Sequence, residues 1–160
     1  MSRFADFALR HLRRTPTRTF VIFPLVTVAW ELVLHQGRIQ LQPFFSLLML
    51  AGYLLYRLST AYRIKHGGGA SGERWENPPP RLVATGPYAF SRNPVYVGHV
   101  LFLIGLALLL KSPLAVLIAV GLAFSFHKRV LSDEYRLAEL FGPRYLEYKG
   151  RVKRWIPGLL

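Results

Sequence analysis

Cysteine is missing from this 160-residue chain, which excludes disulfides, zinc–thiolate sites and a cysteine nucleophile and leaves the redox compartment unmarked. Acids are scarce too, with 8 Asp and Glu against 21 Lys and Arg, for a formal charge of +13. There is no internal repeat. Low complexity is confined to Gly67-Gly68-Gly69 and Pro78-Pro79-Pro80, which suit a flexible or extended loop. No small-x-small cleavage signal follows the first apolar run at Ala29-Trp30-Glu31, so that run is expected to be retained rather than removed as a leader.

What the chain does contain is oil and base. Hydrophobic residues make up 52% of it, and a soluble domain of this size rarely combines that share with such a charge. Membrane proteins with basic loops and nucleic-acid binders both do, and the distribution of the bases separates them. Five bases precede Phe20, five fall within residues 63–92, eight lie from Lys128 onward, and only Arg38, Arg57 and Lys111 fall elsewhere. Confinement to loops points to a membrane protein and away from nucleic acid.

The apolar runs predict an all-α integral membrane protein with about four transmembrane helices. The first run, residues 20–34, carries Pro24 and Glu31 and is slightly short for the roughly 20 residues that span a bilayer. Near the end of its run, Glu31 is expected to reach water. The second, residues 43–62, has an aromatic edge at Tyr53, Tyr56 and Tyr62 suited to interfacial anchoring. Residues 95–110 and 114–126, separated only by Lys111-Ser112-Pro113, read as a helical hairpin. The expected organisation is one membrane domain over 1–160: two spans in 1–63, a loop over 64–94, then the hairpin and an interfacial C-terminal helix in 95–160. Because the N-terminal segment, central loop and tail hold 18 of the bases, the positive-inside rule puts both termini in the cytoplasm. The connections on the other side are too short for an active site, so function is expected on the cytoplasmic side.

Two segments there are over-elaborate for a simple membrane boundary. Residues 86–98, Gly-Pro-Tyr-Ala-Phe-Ser-Arg-Asn-Pro-Val-Tyr-Val-Gly, crowd turn formers, tyrosines and a cation ahead of the hairpin. The tail from Lys128 has Leu137, Leu140 and Phe141 at helical spacing and Gly142-Pro143 as a stop, which predicts a helix running out of the membrane. Arg129 and Asp133, four apart, share a face of it, while Glu134 points about 100° away. Taken alone, that pair reads as a surface salt bridge of little energetic weight.

Together the segments say more. Leu82-Val83-x-Thr85-Gly86-x-Tyr88, then Arg92-x-Pro94-x-Tyr96-x-Gly98, the hairpin, Arg129-x3-Asp133-Glu134-x2-Leu137-x3-Phe141-Gly142-x2-Tyr145-x2-Tyr148-x3-Val152 and Ile156-Pro157 closely resemble the isoprenylcysteine carboxyl methyltransferase family. Phospholipid N-methyltransferases resemble the pattern more distantly. The resemblance covers about half the chain, residues 82–157, and implies a membrane enzyme that uses S-adenosylmethionine on a lipophilic acceptor, most simply the carboxyl group of an isoprenylcysteine-like substrate. Carried over by position, the cofactor contacts fall on Arg81, Leu82, Val83, Tyr88, Asn93, Pro94, Val95 and Tyr96, with Asp133 or Glu134 closing the site. Arg129 falls where the family has its substrate-binding arginine. The family often has His where this chain has Asn93, and paired glutamates where it has Asp133-Glu134. A further family contact would fall near Glu73.

The residue types suit that chemistry. The cofactor's ammonium calls for an acid such as Asp133 or Glu134, its carboxylate for Arg92 or free backbone N–H groups, and its adenine for an apolar slot such as Leu82, Val83 and Val95. Tyrosine faces can stabilise the sulfonium by cation–π contact, worth about 2 kcal/mol when desolvated. An acceptor carboxylate is already ionised and needs a guanidinium partner such as Arg129 rather than a base. An amine acceptor would need a base, but His99 reads better as a polar packing or cofactor contact and His127 as a marker of the membrane interface. Tyr145 and Tyr148 read as packing or interfacial residues rather than catalysts, and no metal is expected. A phospholipid or small lipophilic acceptor is the alternative within the enzyme class; outside it stands a non-catalytic membrane protein whose basic loops bind anionic lipid.

Overall fold

A computed structural model describes residues 14–68 and 80–155 of the chain. Gly69, Glu73, Pro78-Pro79, Ile156-Pro157 and the basic residues before Arg14 lie outside the described residues. Within them the chain is helical and has no strand. The helices are α1 (Thr15–Leu34), α2 (Ser46–Gly67), α3 (Pro94–Leu110), α4 (Pro113–Phe141) and α5 (Pro143–Arg151). Three of them, α1, α2 and α4, are long and apolar enough to cross a membrane, whereas α3, the other expected span, has 17 residues.

Proline sets most of the helix starts. Pro16, Pro94, Pro113 and Pro143 each stand in a first turn, where a missing N–H costs nothing. Pro24 lies inside the first run and cannot donate to the carbonyl four residues back. The backbone widens to π-helical geometry over Arg18–Ile22 just before it, which lets α1 continue to Leu34 instead of breaking. The helix therefore begins at Thr15, and the first span is 20 residues long rather than short. α4 carries the hairpin's second arm and the expected tail helix as one rod of 29 residues, about 43 Å at 1.5 Å per residue. Its part beyond His127 has six charged residues in 128–141, against none in 114–127, so charge divides the rod into an apolar and a polar half. Gly142 ends it with φ +53°, a conformation open to glycine, and α5 follows.

The chain divides into two compact units, each discontinuous in sequence: Met1–Tyr53 with His99–Gly121, and Leu54–Gly98 with Leu122–Leu160. In the first, Phe20 is the hub of an aromatic cluster. Its ring stacks on His99 at 4.8 Å and meets Tyr53 and Phe102 edge-on at 5.2 and 4.8 Å. Gly105 lets α3 approach α2 closely, because a Cβ there would sit 2.7 Å from the Met49 amide nitrogen. Glu31 is not in water. It is 1% exposed, accepts the Ser112 hydroxyl at 2.6 Å and lies 3.2 Å from His35 Nε2. The same Ser112 oxygen caps α4 by accepting the Ala115 N–H, so the turn that closes the hairpin also supplies the donor that makes burying Glu31 tolerable.

In the second unit, α5 buries Tyr145, Tyr148 and Val152 against Leu82, Ala84, Leu137, Ala138 and Phe141. Tyr96 at the start of α3 stacks on Phe126 of α4 at 4.4 Å, closing the hairpin's polar end. Leu25, Val33, Phe44, Leu58, Leu117 and Val120 are largely exposed. Bare apolar helix faces of this kind match lipid rather than water.

Candidate functional site

The loop ahead of α3 is fastened to the end of the tail. Arg92 N–H donates to the Lys153 carbonyl at 3.0 Å, and the Ser91 hydroxyl and Asn93 Nδ2 both donate to the Arg154 carbonyl, at 3.3 and 3.1 Å. Arg92 Nη1 reaches the Lys149 and Val152 carbonyls, which are left without partners at the end of α5. The crowded Ser-Arg-Asn-Pro turn is thus the holder of the chain's last described strand of backbone.

Glu134 is the centre of that clasp. Its Oε1 accepts from Arg92 Nη2 at 2.7 Å and Arg154 Nε at 2.8 Å, its Oε2 accepts from Arg154 Nη2 at 2.9 Å, and Lys149 Nζ is 3.6 Å away. Burial pushes this carboxyl up, but the hydrogen bonds and charges of Arg154 and Arg92 outweigh it and hold the group down at about 2. Both oxygens are spoken for. Arg92, expected at either the loop or the cofactor carboxylate, has its guanidinium in the same clasp.

Asp133, the next residue, faces elsewhere. It is 9% exposed, and its Oδ2 has no hydrogen-bond partner among the described residues. Burial pushes its carboxyl up to about 6 in spite of the positive charges of Arg129, Arg136 and Arg63. It lines a narrow cleft with Arg63, Leu82, Val83, Tyr88, Arg92, Asn93, Val130, Glu134, Leu137, Tyr145 and Tyr148; with its open mouth the hollow measures about 510 Å³. Tyr148 donates its hydroxyl proton to the Tyr88 carbonyl at 2.7 Å, which fixes the cleft's aromatic wall, and burial pushes Tyr88 up to about 12 so that it stays neutral. A wider hollow in the first unit, lined by Gln42, Phe45, Ala107 and Lys111 among others, has no acid.

Of the residues expected at the site, the cleft gathers Leu82, Val83, Tyr88, Asn93, Asp133 and Glu134. It does not gather Arg81, Pro94, Val95, Tyr96 or Arg129. Arg81 is exposed and donates its N–H to the Gly67 carbonyl, Pro94 and Val95 start α3, and Tyr96 packs on Phe126. Arg129 is exposed one helical turn from Asp133 and acts on it through its charge. His99 belongs to the aromatic cluster of the first unit and His127 stacks on Trp155 at 6.3 Å. Tyr145 and Tyr148 do pack, as expected, and also form the wall.

Sequence reasoning missed Arg63 and Arg154. Arg154 is one of eight bases from Lys128 onward, with no spacing to set it apart. Arg63 follows Tyr62, an expected interfacial anchor whose hydroxyl instead meets Thr85 Oγ1 at 2.8 Å. The chemistry of the cleft fits S-adenosylmethionine: a buried carboxylate oxygen lacking a donor, neutral tyrosines and an apolar wall. Among the described residues no group of three or more His, Asp or Glu side chains could hold a metal.

Three helices long and apolar enough to cross a membrane and a cleft that holds a buried acid beside an aromatic wall are the features to set against known proteins. The chain belongs to the phospholipid methyltransferase family, whose profile matches residues 41–144. Its relatives bear out the likeness seen in the sequence. It is 40% identical over 77 residues to the protein-S-isoprenylcysteine O-methyltransferase of Saccharomyces cerevisiae, covering 48% of this chain and 32% of that one. To the human protein-S-isoprenylcysteine O-methyltransferase it is 39% identical over 77 residues, 48% and 27% of the two chains. It is also similar, at 32% identity over 114 residues, to the cobalt-zinc-cadmium resistance protein CzcN of Cupriavidus metallidurans, covering 71% of this chain and 50% of that one. The matches span about a third of the length of the methyltransferase relatives. No solved structure matches. The family and the three helices long and apolar enough to cross a membrane agree with an integral membrane protein.

Proposed function

We propose that the cleft binds S-adenosylmethionine and that the protein transfers its methyl group to the carboxylate of an isoprenylcysteine-like acceptor. The observation that carries this reading is Asp133 Oδ2, a buried carboxylate oxygen without a donor in a cleft walled by tyrosines. A donor is what such an oxygen lacks, and the cofactor's ammonium supplies a charged one. When bound, the cofactor brings an electrophilic methyl group on a sulfonium. Leu82, Val83 and Leu137 offer the adenine an apolar wall, and the faces of Tyr88 and Tyr148 suit a cation. Asn93 shapes the cleft rim, while Glu134, with both oxygens engaged, works by holding the wall in place. Pro94, Val95 and Tyr96 then serve the site from behind, by setting the start of α3, and Arg81 by tying its loop to the end of α2.

Arg129 is the acceptor's partner in this account. It is exposed, on the side of α4 that bears Asp133, and its guanidinium can hold a carboxylate bidentately. Such an acceptor is already ionised, so alignment and exclusion of water do the remaining work and no base is required. α3 forms a fourth span, its 17 residues lying at the lower limit for crossing a bilayer, and both termini and the cleft face the cytoplasm. The family's name favours one other acceptor, a phospholipid. Incubating the protein in membranes with methyl-labelled cofactor distinguishes the two: label in a base-labile ester supports the carboxyl reading, and label in phospholipid replaces it. Arg129→Ala should abolish ester formation and leave cofactor affinity within about threefold; equal loss of both removes the role given to Arg129.

A further inference from the structure

The first unit supplies no residue to the cleft, yet it holds the wider hollow, about 1290 Å³ with its open mouth. Leu108, Val116 and Leu117, all exposed, line it along the hairpin, and at the turn between α3 and α4 the lining becomes polar with Gln42 and Lys111. α3 closes there with the Ser112 N–H on the Ala107 carbonyl at 3.0 Å, and Lys111 takes φ +50°. Glycine is the usual occupant of such a position, as Gly142 is at the end of α4, because a Cβ disfavours left-handed backbone. A lysine there gives up backbone energy. Its ammonium also has no acid to answer it: Glu31 is the one acid among the unit's described residues, and Ser112 and His35 engage its two oxygens. Helix dipoles do not account for it either, since the positive end of α4, starting at Pro113, opposes the negative end of α3.

We infer that this groove holds one anionic phospholipid, its phosphate on Lys111 Nζ and the Gln42 side-chain amide, and an acyl chain along Leu108, Val116 and Leu117. The charge is complementary, and the apolar lining is what a chain needs. Such a site is separate from the general attraction of the basic segments for anionic lipid, because it lies at the other end of α4 from the charged residues of 128–141. It discriminates between headgroups. A choline lipid offers the same chain, but its phosphate already carries a cation of its own. The site stands whether or not the cleft binds S-adenosylmethionine.

Native mass spectrometry of the full chain in detergent tests this with two probes, palmitoyl-oleoyl phosphatidylglycerol and palmitoyl-oleoyl phosphatidylcholine. Wild type should retain one phosphatidylglycerol in preference to phosphatidylcholine. Lys111→Gly should weaken phosphatidylglycerol about fivefold, leave phosphatidylcholine within twofold, and hold or raise the unfolding temperature in lipid-free detergent, because glycine fits φ +50°. Lys111→Asn, also tolerated in left-handed backbone, should do the same and carries the comparison should the Gly variant not fold. Val116→Trp, which fills the groove, should weaken both lipids. The assignment is overturned if the Lys111 variants keep wild-type preference, if they unfold at lower temperature, or if Arg38→Gln, which removes a base of the same unit outside the groove, weakens phosphatidylglycerol equally. A wild-type dimer that retains no lipid and is broken by Val116→Trp makes the groove a contact between copies and overturns it too.

Discussion

The clasp and the cleft meet at two adjacent acids on α4, and they treat them in opposite ways. Glu134 is surrounded by Arg92, Arg154 and Lys149 with both oxygens bonded, whereas Asp133 keeps a buried oxygen without a donor. A protein that needed only to stabilise its fold would have little reason to bury the second acid with an oxygen unsatisfied. Unfilled hydrogen-bonding capacity of this kind costs free energy in the free protein and is recovered when a ligand fills it. Glu31, in the other compact unit, is an acid of the first kind, satisfied by Ser112 and His35. The difference teaches that burial and charge alone do not mark a site; the distinguishing feature is what the carboxylate lacks.

Glu134→Gln is the strongest way to break this contrast. It leaves Arg92 and Arg154 without their counter-ion and should cost about 3 kcal/mol or more, read as a fall in unfolding temperature in detergent. A stability loss no larger than that of Asp133→Asn would erase the distinction.

The two acids should also respond to pH with opposite signs. For Glu134 the folded value, about 2, lies below its ordinary 4.5, so its stabilising contribution is full above about 4.5 and is lost as pH falls toward 2. The folded value of Asp133, about 6, lies above 3.8, so protonation favours the fold, and that contribution disappears as pH rises through 6. Affinity for S-adenosylhomocysteine should hence fall about tenfold per pH unit below 6 as Asp133 takes up its proton. An affinity flat from pH 7 to 5 would rule Asp133 out as the ammonium's partner.

Smaller effects sharpen the comparison at its edges. Gly86→Ala introduces a side chain at φ +58° under the Tyr62 ring and should cost about 1–3 kcal/mol, with ligand affinity falling alongside because the same contact positions the cleft wall. Ser112→Ala removes a cap and the donor to Glu31, costs about 1–2 kcal/mol, and should leave ligand affinity unchanged. Loss of affinity in that variant would contradict the separation of the two acids' roles.

The sequence was most readable where composition alone carries the physics. Apolar runs separated by basic loops announced the helices, and Lys111-Ser112-Pro113 announced the hairpin. Spacing announced Asp133 and Glu134 but not their division of labour, because neighbours on a helix differ only in which face they present, and tertiary partners decide what each face meets. Those partners, Arg154 and Arg63, come from a basic tail and a membrane helix where nothing in the local pattern singles out one arginine. Glu31 misled because an acid near the end of an apolar run reaches water by default; its donor lies 81 positions away, in the hairpin turn.

The central claim is tested most directly by titrating S-adenosylhomocysteine into wild type, Asp133→Asn and Glu134→Gln under conditions where all three are folded. Asp133→Asn should lose about 30-fold or more in affinity, the worth of a charged contact to an ammonium, at nearly unchanged unfolding temperature, and Glu134→Gln should lose mainly stability. Wild-type affinity in Asp133→Asn would contradict the account.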